Sequence, residues 1–151
     1  SPQGSHQLLG GVELSAPAHH ALCRWGVTSE TGARNKEFML TDAVGILEHG
    51  VVLGRATWEA FLKNQGWTLD AVDKVICHQV AASNQEAILA ATGIAKEKDY
   101  TSYEFLGNMG TVSLPTTAAL ASERGFLETG DQVALLGIGS GLNCLMLGLR
   151  W

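Results

Sequence analysis

Apolar residues along this chain fall into two kinds of run, and each kind predicts a different element. Leu8 to Leu14 is a short apolar stretch broken by Gly10-Gly11, which reads as a strand with a bulge or an edge at the glycines. From Ser15 to Lys36 no period is sustained, and Pro17, His19-His20, Gly26 and Gly32 mark a long loop with room for one short helix. Between Thr41 and Asn64 the period changes to helical. Val44, Leu47, Val51, Trp58 and Phe61 recur at helical spacing, with Asp42, Glu48, Arg55, Glu59 and Lys63 largely off that stripe. Thr41 is suited to cap this helix and Asp42 to sit at the positive end of its dipole. Gly45, Gly50 and Gly54 each cost a helix interior on the order of 1 kcal/mol, so they predict places where another part of the molecule or a ligand comes close.

Two strand–helix units follow. Lys74-Val75-Ile76-Cys77 is a continuous apolar run of the kind a buried central strand shows, and it leads through His78-Gln79-Val80 into a helix. Ser83 and Glu86 are spaced as a capping box for that helix, and Gly93 stops it. A short extended piece over residues 100–105 precedes the loop Gly107-Asn108-Met109-Gly110. A second helix begins near Ser113, with Pro115 in its first turn, and ends at Gly125. Gln132 to Ile138 and Leu142 to Leu149 close the chain as two strands joined by Gly139-Ser140-Gly141. The order predicts a single layered α/β domain over 1–151 with a mixed five-stranded sheet.

Composition narrows what such a domain does. Of 151 residues, 46% are hydrophobic and only 17% charged, which predicts that much of the surface is covered by a partner. The isolated chain is accordingly expected to be poorly soluble or oligomeric. A formal net charge of −5 argues against a nucleic-acid partner, and no apolar run reaches the ~20 residues of a membrane span. Cys23, Cys77 and Cys144 are far apart and show no metal-ligand spacing. They read as buried free thiols in a reducing, cytoplasmic setting, and no metal is expected. The polar Ser1 to Gln7 is no signal peptide. The chain does not begin with methionine, which suggests a fragment, a processed chain or one part of a split protein.

Three positions have chemistry to offer. His78 lies where a buried strand ends and a helix begins, the end of an α/β sheet at which ligands bind; a satisfied structural histidine is the competing reading. Asn108 stands between glycines before another helix, where it is either a turn residue or an amide donor. Together the two could direct donors at one oxygen, as an oxyanion hole does. Gly139-Ser140-Gly141 is either a tight hairpin or a set of backbone N–H groups facing a developing charge.

Ile76-Cys77-His78-Gln79-Val80 resembles the His-Gln motif of the 3-oxoacyl synthase III enzymes of the thiolase superfamily. Residues 107–115 resemble their Gly-Asn-x-x-x-x-Ser-x-Pro segment, and residues 136–143 their C-terminal glycine loop. The three occur in the family's order, and residues 137–144 are most similar to the acyl-CoA condensing enzymes of bacterial long-chain olefin biosynthesis. The resemblance implies a thiolase-like fold of two similar halves, of which this is the C-terminal one. It implies an acyltransferase that performs a Claisen condensation of two acyl thioesters, long-chain acyl-CoA foremost. His78 and Asn108 would hold the carbonyl oxygen of the second thioester as it becomes an enolate, and the N–H of Ser140 would serve the other oxyanion hole.

The nucleophile in such enzymes is a cysteine at a helix N-terminus in the first half. None of the three cysteines here fits that role, since Cys77 points to the opposite strand face from His78, Cys144 lies in a strand and Cys23 in the loop. The chain alone is therefore expected to be inactive and to need an N-terminal half or partner chain carrying that cysteine. The complete units are expected to dimerise, with acyl-CoA or acyl carrier protein as substrate carrier and no cofactor. Two other readings stand beside this one. The first is a 3-oxoacyl-[acyl-carrier-protein] synthase III of fatty-acid or polyketide synthesis. The second is a non-catalytic subunit that pairs with a complete condensing enzyme.

Overall fold

The computed structural model describes residues 6–28 and 35–151, so the polar start and the middle of the Ser15–Lys36 segment, Gly32 included, lie partly outside the described residues. Its main sheet has four strands in the order β1 (Gln7–Ser15), β6 (Asn143–Arg150), β5 (Gln132–Gly139), β4 (Lys74–Cys77). β1 pairs antiparallel with β6 and slips register between Leu8 and Gly10, where the glycine pair predicted a bulge. β5 pairs antiparallel with β6 and parallel with β4. The sheet is thus mixed, as expected, but has four strands rather than five. Where an extended piece was expected over residues 100–105, a single parallel bridge forms just before it, Val75 with Asp99, and the chain then turns into the short helix α3 (Tyr103–Leu106).

The continuous apolar run of β4 led to an expectation of a central strand, yet β4 is the edge of this sheet. It is buried all the same, because the segment after Asp99 covers its outer side and Tyr100 N–H donates to the Val75 carbonyl at 3.4 Å. The loop expected over 15–36 contains a 3-10 turn (Pro17–Leu22) and two strands, β2 (Cys23–Thr28) and β3 (Lys36–Thr41), which form a separate antiparallel pair. Trp25 and Met39 face each other across that pair and are both 67% exposed. With apolar side chains left in solvent, the alternation that identifies a strand is not written in the sequence.

Helices cover the two faces of the main sheet. α1 (Ala43–Gln65) and α2 (Ala82–Thr92) lie on one face, where Trp58, Phe61 and Leu89 pack with Val75, Cys77, Ala134, Leu136, Cys144 and Met146. α4 (Ser113–Glu123) lies on the other, where Ala118 and Ala121 pack with Ile76, Val133 and Leu127. The α1 glycines sit where neighbours come close. A Cβ on Gly54 would stand 2.7 Å from Ile88 Cδ1 of α2, and one on Gly50 would stand 3.2 Å from Ile138 Cδ1.

Two caps differ from expectation. Asp42 caps α1, its carboxylate accepting from Gly45 N–H at 2.9 Å, while Thr41 remains paired with Cys23 in the hairpin. The Ser83–Glu86 capping box does not form. α2 starts at Ala82, so Ser83 lies inside the first turn and no side chain caps at Ala81. No described helix is long and apolar enough to cross a membrane.

Candidate active site

β4 and β5 run parallel, and their carboxyl ends carry His78 and, three residues past Gly137, Ser140. His78 N–H donates to the Leu136 carbonyl at 2.8 Å, which continues the ladder one residue beyond β4. Strand alternation then fixes its face. Val75 and Cys77 belong to the core under α1 and α2 and Ile76 to the core under α4, so His78 falls on the α4 face. Its ring is half-buried, and burial lowers its pKa from the ordinary histidine value. The imidazole is therefore neutral at pH 7, and a neutral ring can donate from one nitrogen.

Asn108 lies in the loop between α3 and α4 and is exposed. Gly110, at φ +63°, lets the chain turn back so that its N–H reaches Asn108 Oδ1 at 2.9 Å. With Oδ1 engaged, Nδ2 is the end of the amide with hydrogens to offer. Met109 N–H, next along, donates to Ser113 Oγ in the first turn of α4 at 2.8 Å. His78 thus stands at the end of β4 on the face that α4 covers, and Asn108 lies five residues before the start of α4.

Ser140 is exposed in the turn between β5 and β6. Its carbonyl accepts from Asn143 Nδ2 at 2.9 Å. The next buried residue, Leu142, exchanges two backbone hydrogen bonds with Ala16 at 2.8 and 3.2 Å, so the turn is fastened to the end of β1. The cysteines are all free. Burial pushes the Cys77 thiol well above its ordinary value, with Asp99 adding to the effect, and burial raises Cys144 as well. Cys23 opens β2 and touches Thr41 Oγ1 at 3.7 Å. None stands at a helix N-terminus, where a thiolate is favoured.

Sequence reasoning missed a set of buried polar residues beneath the site. Gln79 is 1% exposed; its Nε2 donates to the Cys77 carbonyl at 2.7 Å, and its Oε1 accepts from the N–H groups of Ser102 (2.8 Å) and Tyr103 (3.1 Å). Thr117 Oγ1 donates to the Ser113 carbonyl at 2.7 Å, which makes the Ser102 hydroxyl the donor in its 2.6 Å bond to Thr117. Beside this chain, Asp99 accepts from Cys77 N–H and from Gln85 Nε2 at 3.2 and 2.8 Å. Burial raises the Asp99 pKa to about 6. Ser113 and Thr117, four apart and so on one side of the helix, were the available signal.

Residues 62–151 match the family described as 3-Oxoacyl-[acyl-carrier-protein (ACP)] synthase III C terminal. An acyl-CoA:acyl-CoA alkyltransferase of Shewanella oneidensis is 58% identical over 146 residues, covering 97% of this chain and 42% of that protein. Its counterpart from Xanthomonas campestris is 36% identical, covering 94% and 39%. The solved structure of cerulenin-bound OleA from Xanthomonas campestris superposes with a TM-score of 0.85 at 34% identity, covering 97% of this chain and 40% of that one. The chain therefore spans about two fifths of the length of these relatives. It belongs to the 3-oxoacyl-[acyl-carrier-protein] synthase III C-terminal family and has the thiolase-like α/β fold of its OleA neighbours.

Proposed function

We propose that residues 1–151 form the C-terminal half of a thiolase-like acyltransferase that joins two acyl thioesters by Claisen condensation. The observation that carries this reading is the placement of His78 at the carboxyl end of β4, on the face that α4 covers, with Asn108 in the loop that leads into α4. The 58% identity to an acyl-CoA:acyl-CoA alkyltransferase favours two acyl-CoA substrates over an acyl carrier protein.

The nucleophilic cysteine comes from an N-terminal half or partner chain. Its thiolate attacks the first thioester and releases the carrier thiol. The second thioester gives its α-proton to a base outside this chain. Its carbonyl oxygen becomes an enolate held by the N–H of His78 and the NH2 of Asn108. The α-carbon attacks the acyl-cysteine, and the N–H groups of Ser140 and of the cysteine hold the resulting oxyanion. Collapse returns the thiolate and leaves a 3-oxoacyl thioester, the precursor of a 3-oxoacid. These steps need only donors and acid–base groups, so the reading includes no cofactor and no metal.

The exposed Trp25, Val27, Met39 and Leu40 of the hairpin support a reading in which another part of the enzyme covers this chain. Three free thiols support a reducing, cytoplasmic setting. The complete units are proposed to dimerise.

Mass spectrometry of the native material, denatured and intact, tests the reading. An equimolar second polypeptide, or an N-terminal portion of the same one, should take up one acyl group on a cysteine from acyl-CoA. This chain alone should take up none. A homogeneous assembly of this chain by itself that binds no acyl group and pairs with no cysteine-bearing partner would sink it.

A further inference from the structure

The polar chain under the site runs from Gln79, the neighbour of one candidate donor, to Met109, the neighbour of the other. Gln79 follows His78, and its Nε2 holds the Cys77 carbonyl on the other side of that histidine. Its Oε1 gathers two consecutive N–H groups, those of Ser102 and Tyr103, from the segment that leads into the Asn108 loop. Ser102 then passes the connection to Thr117, Thr117 to the Ser113 carbonyl, and Ser113 Oγ to Met109 N–H, beside Asn108. Gln79, Ser102, Ser113 and Thr117 are between 0% and 1% exposed, so no water replaces these bonds. A buried amide offering one oxygen to two donors and its NH2 to a carbonyl cannot rotate without leaving polar groups unpaired.

From this we infer that Gln79 is a positioning residue that sets the distance between His78 and Asn108, and with it the ability of the site to hold an enolate oxygen. Donors at such a site must be held to a fraction of an ångström, and a misplacement of about 1 Å costs on the order of 100-fold in rate. The inference rests on the condensation reading above, but its structural part can be measured apart from that reading.

The test uses the complete enzyme and two variants, Gln79→Met and Gln79→Glu. Methionine fills the space with no hydrogen bond. A neutral glutamic acid can donate to the Cys77 carbonyl and accept from Ser102 and Tyr103, whereas its carboxylate loses the first bond. Acylation of the cysteine is followed by intact mass and condensation by 3-oxoacyl product. Gln79→Met should acylate at the wild-type rate, with kcat for condensation lowered on the order of 100-fold. Gln79→Glu should recover condensation at low pH and lose it as pH rises. Hydrogen exchange should quicken at Ser102, Tyr103 and Met109 in the methionine variant. Unchanged exchange at those amides, equal loss of acylation and condensation, or a glutamate variant that follows the methionine one at every pH would overturn the inference. Should the wild-type enzyme acylate but never condense, the condensation reading falls, and the exchange comparison still decides whether Gln79 clamps the loop.

Discussion

The two faces of the main sheet are built on different terms. Under α1 and α2 large apolar side chains dominate, with Trp58 stacked on Phe61 at 5.5 Å between ring centres and Trp67 set edge-on to Phe61 at 5.6 Å, and the buried Thr57 and Thr92 bond back to their own helices. Among the described residues, one buried side-chain polar atom there has no partner, the indole Nε1 of Trp58. Under α4 the apolar cluster is smaller, and Ser102, Ser113 and Thr117 satisfy one another, with Gln79 beyond the end of β4 holding the Ser102 backbone. The first face can tolerate an unpaired donor because burial of large side chains outweighs it. The second has little such surplus, so its geometry depends on directional bonds. Directional bonds suit a face on which the proposed donors would have to be held to a fraction of an ångström.

The contrast predicts that substitutions on the two faces fail in different ways. The largest effect belongs to Phe61→Ala, which empties the centre of the α1 face. Stability should fall by about 3–5 kcal/mol, read as a lowered urea midpoint, with no selective effect on condensation in the molecules that remain folded. His78→Ala should do the reverse, lowering kcat for condensation by roughly 100- to 1000-fold while the urea midpoint barely moves. In the wild type the His78 ring should titrate below the ordinary histidine range in a proton NMR titration, because burial disfavours its charged form. A titration at or above that range would contradict a buried ring at the end of β4.

Asp99 stands at the β4 edge between the faces and gives a smaller, pH-dependent effect. Its folded pKa is raised from 3.8 to about 6, so its contribution to stability is full below pH ~4 and is lost as pH rises through ~6. The loss is on the order of 3 kcal/mol at most. Asp99→Asn should flatten the urea midpoint between pH 5 and pH 8 and exceed the wild type at the upper end; an unchanged slope would remove Asp99 as its source. The smallest effect is expected of Trp58→Phe. It trades ring area for the removal of an unpaired donor, so stability should stay within about 1 kcal/mol of the wild type. A larger loss would show that the indole N–H has a partner after all.

How much of this was legible in the sequence differs between regions for physical reasons. β4 was bounded correctly because four successive residues are buried or nearly so, and α1 because Trp58 and Phe61 lie on one buried stripe. The stripe failed at Val44, which is 68% exposed. Thr41 and Asp42 are both good capping residues, and the choice between them depended on β3, whose pairing holds Thr41 and which the sequence did not reveal. The fifth strand was lost because the chain after Asp99 is drawn into α3, its first turn held by Gln79 across 23 residues of sequence. His78, Asn108 and Ser140 could be picked out because each follows a readable strand or precedes a readable helix. Gln79 was quoted only as part of a motif, and its task is a set of long-range bonds to backbone, which leaves no period or spacing to read.

The unpaired indole of Trp58 also makes the protein its own spectroscopic gauge. Of the four tryptophans, Trp25 is exposed, while Trp67 and Trp151 are partly so. A buried indole proton with no acceptor should resonate apart from those bonded to water, and it exchanges only when the layer above the sheet opens. One cross-peak in a nitrogen–proton spectrum of nitrogen-15-enriched protein would then report on the opening of the α1 face, with no residue changed.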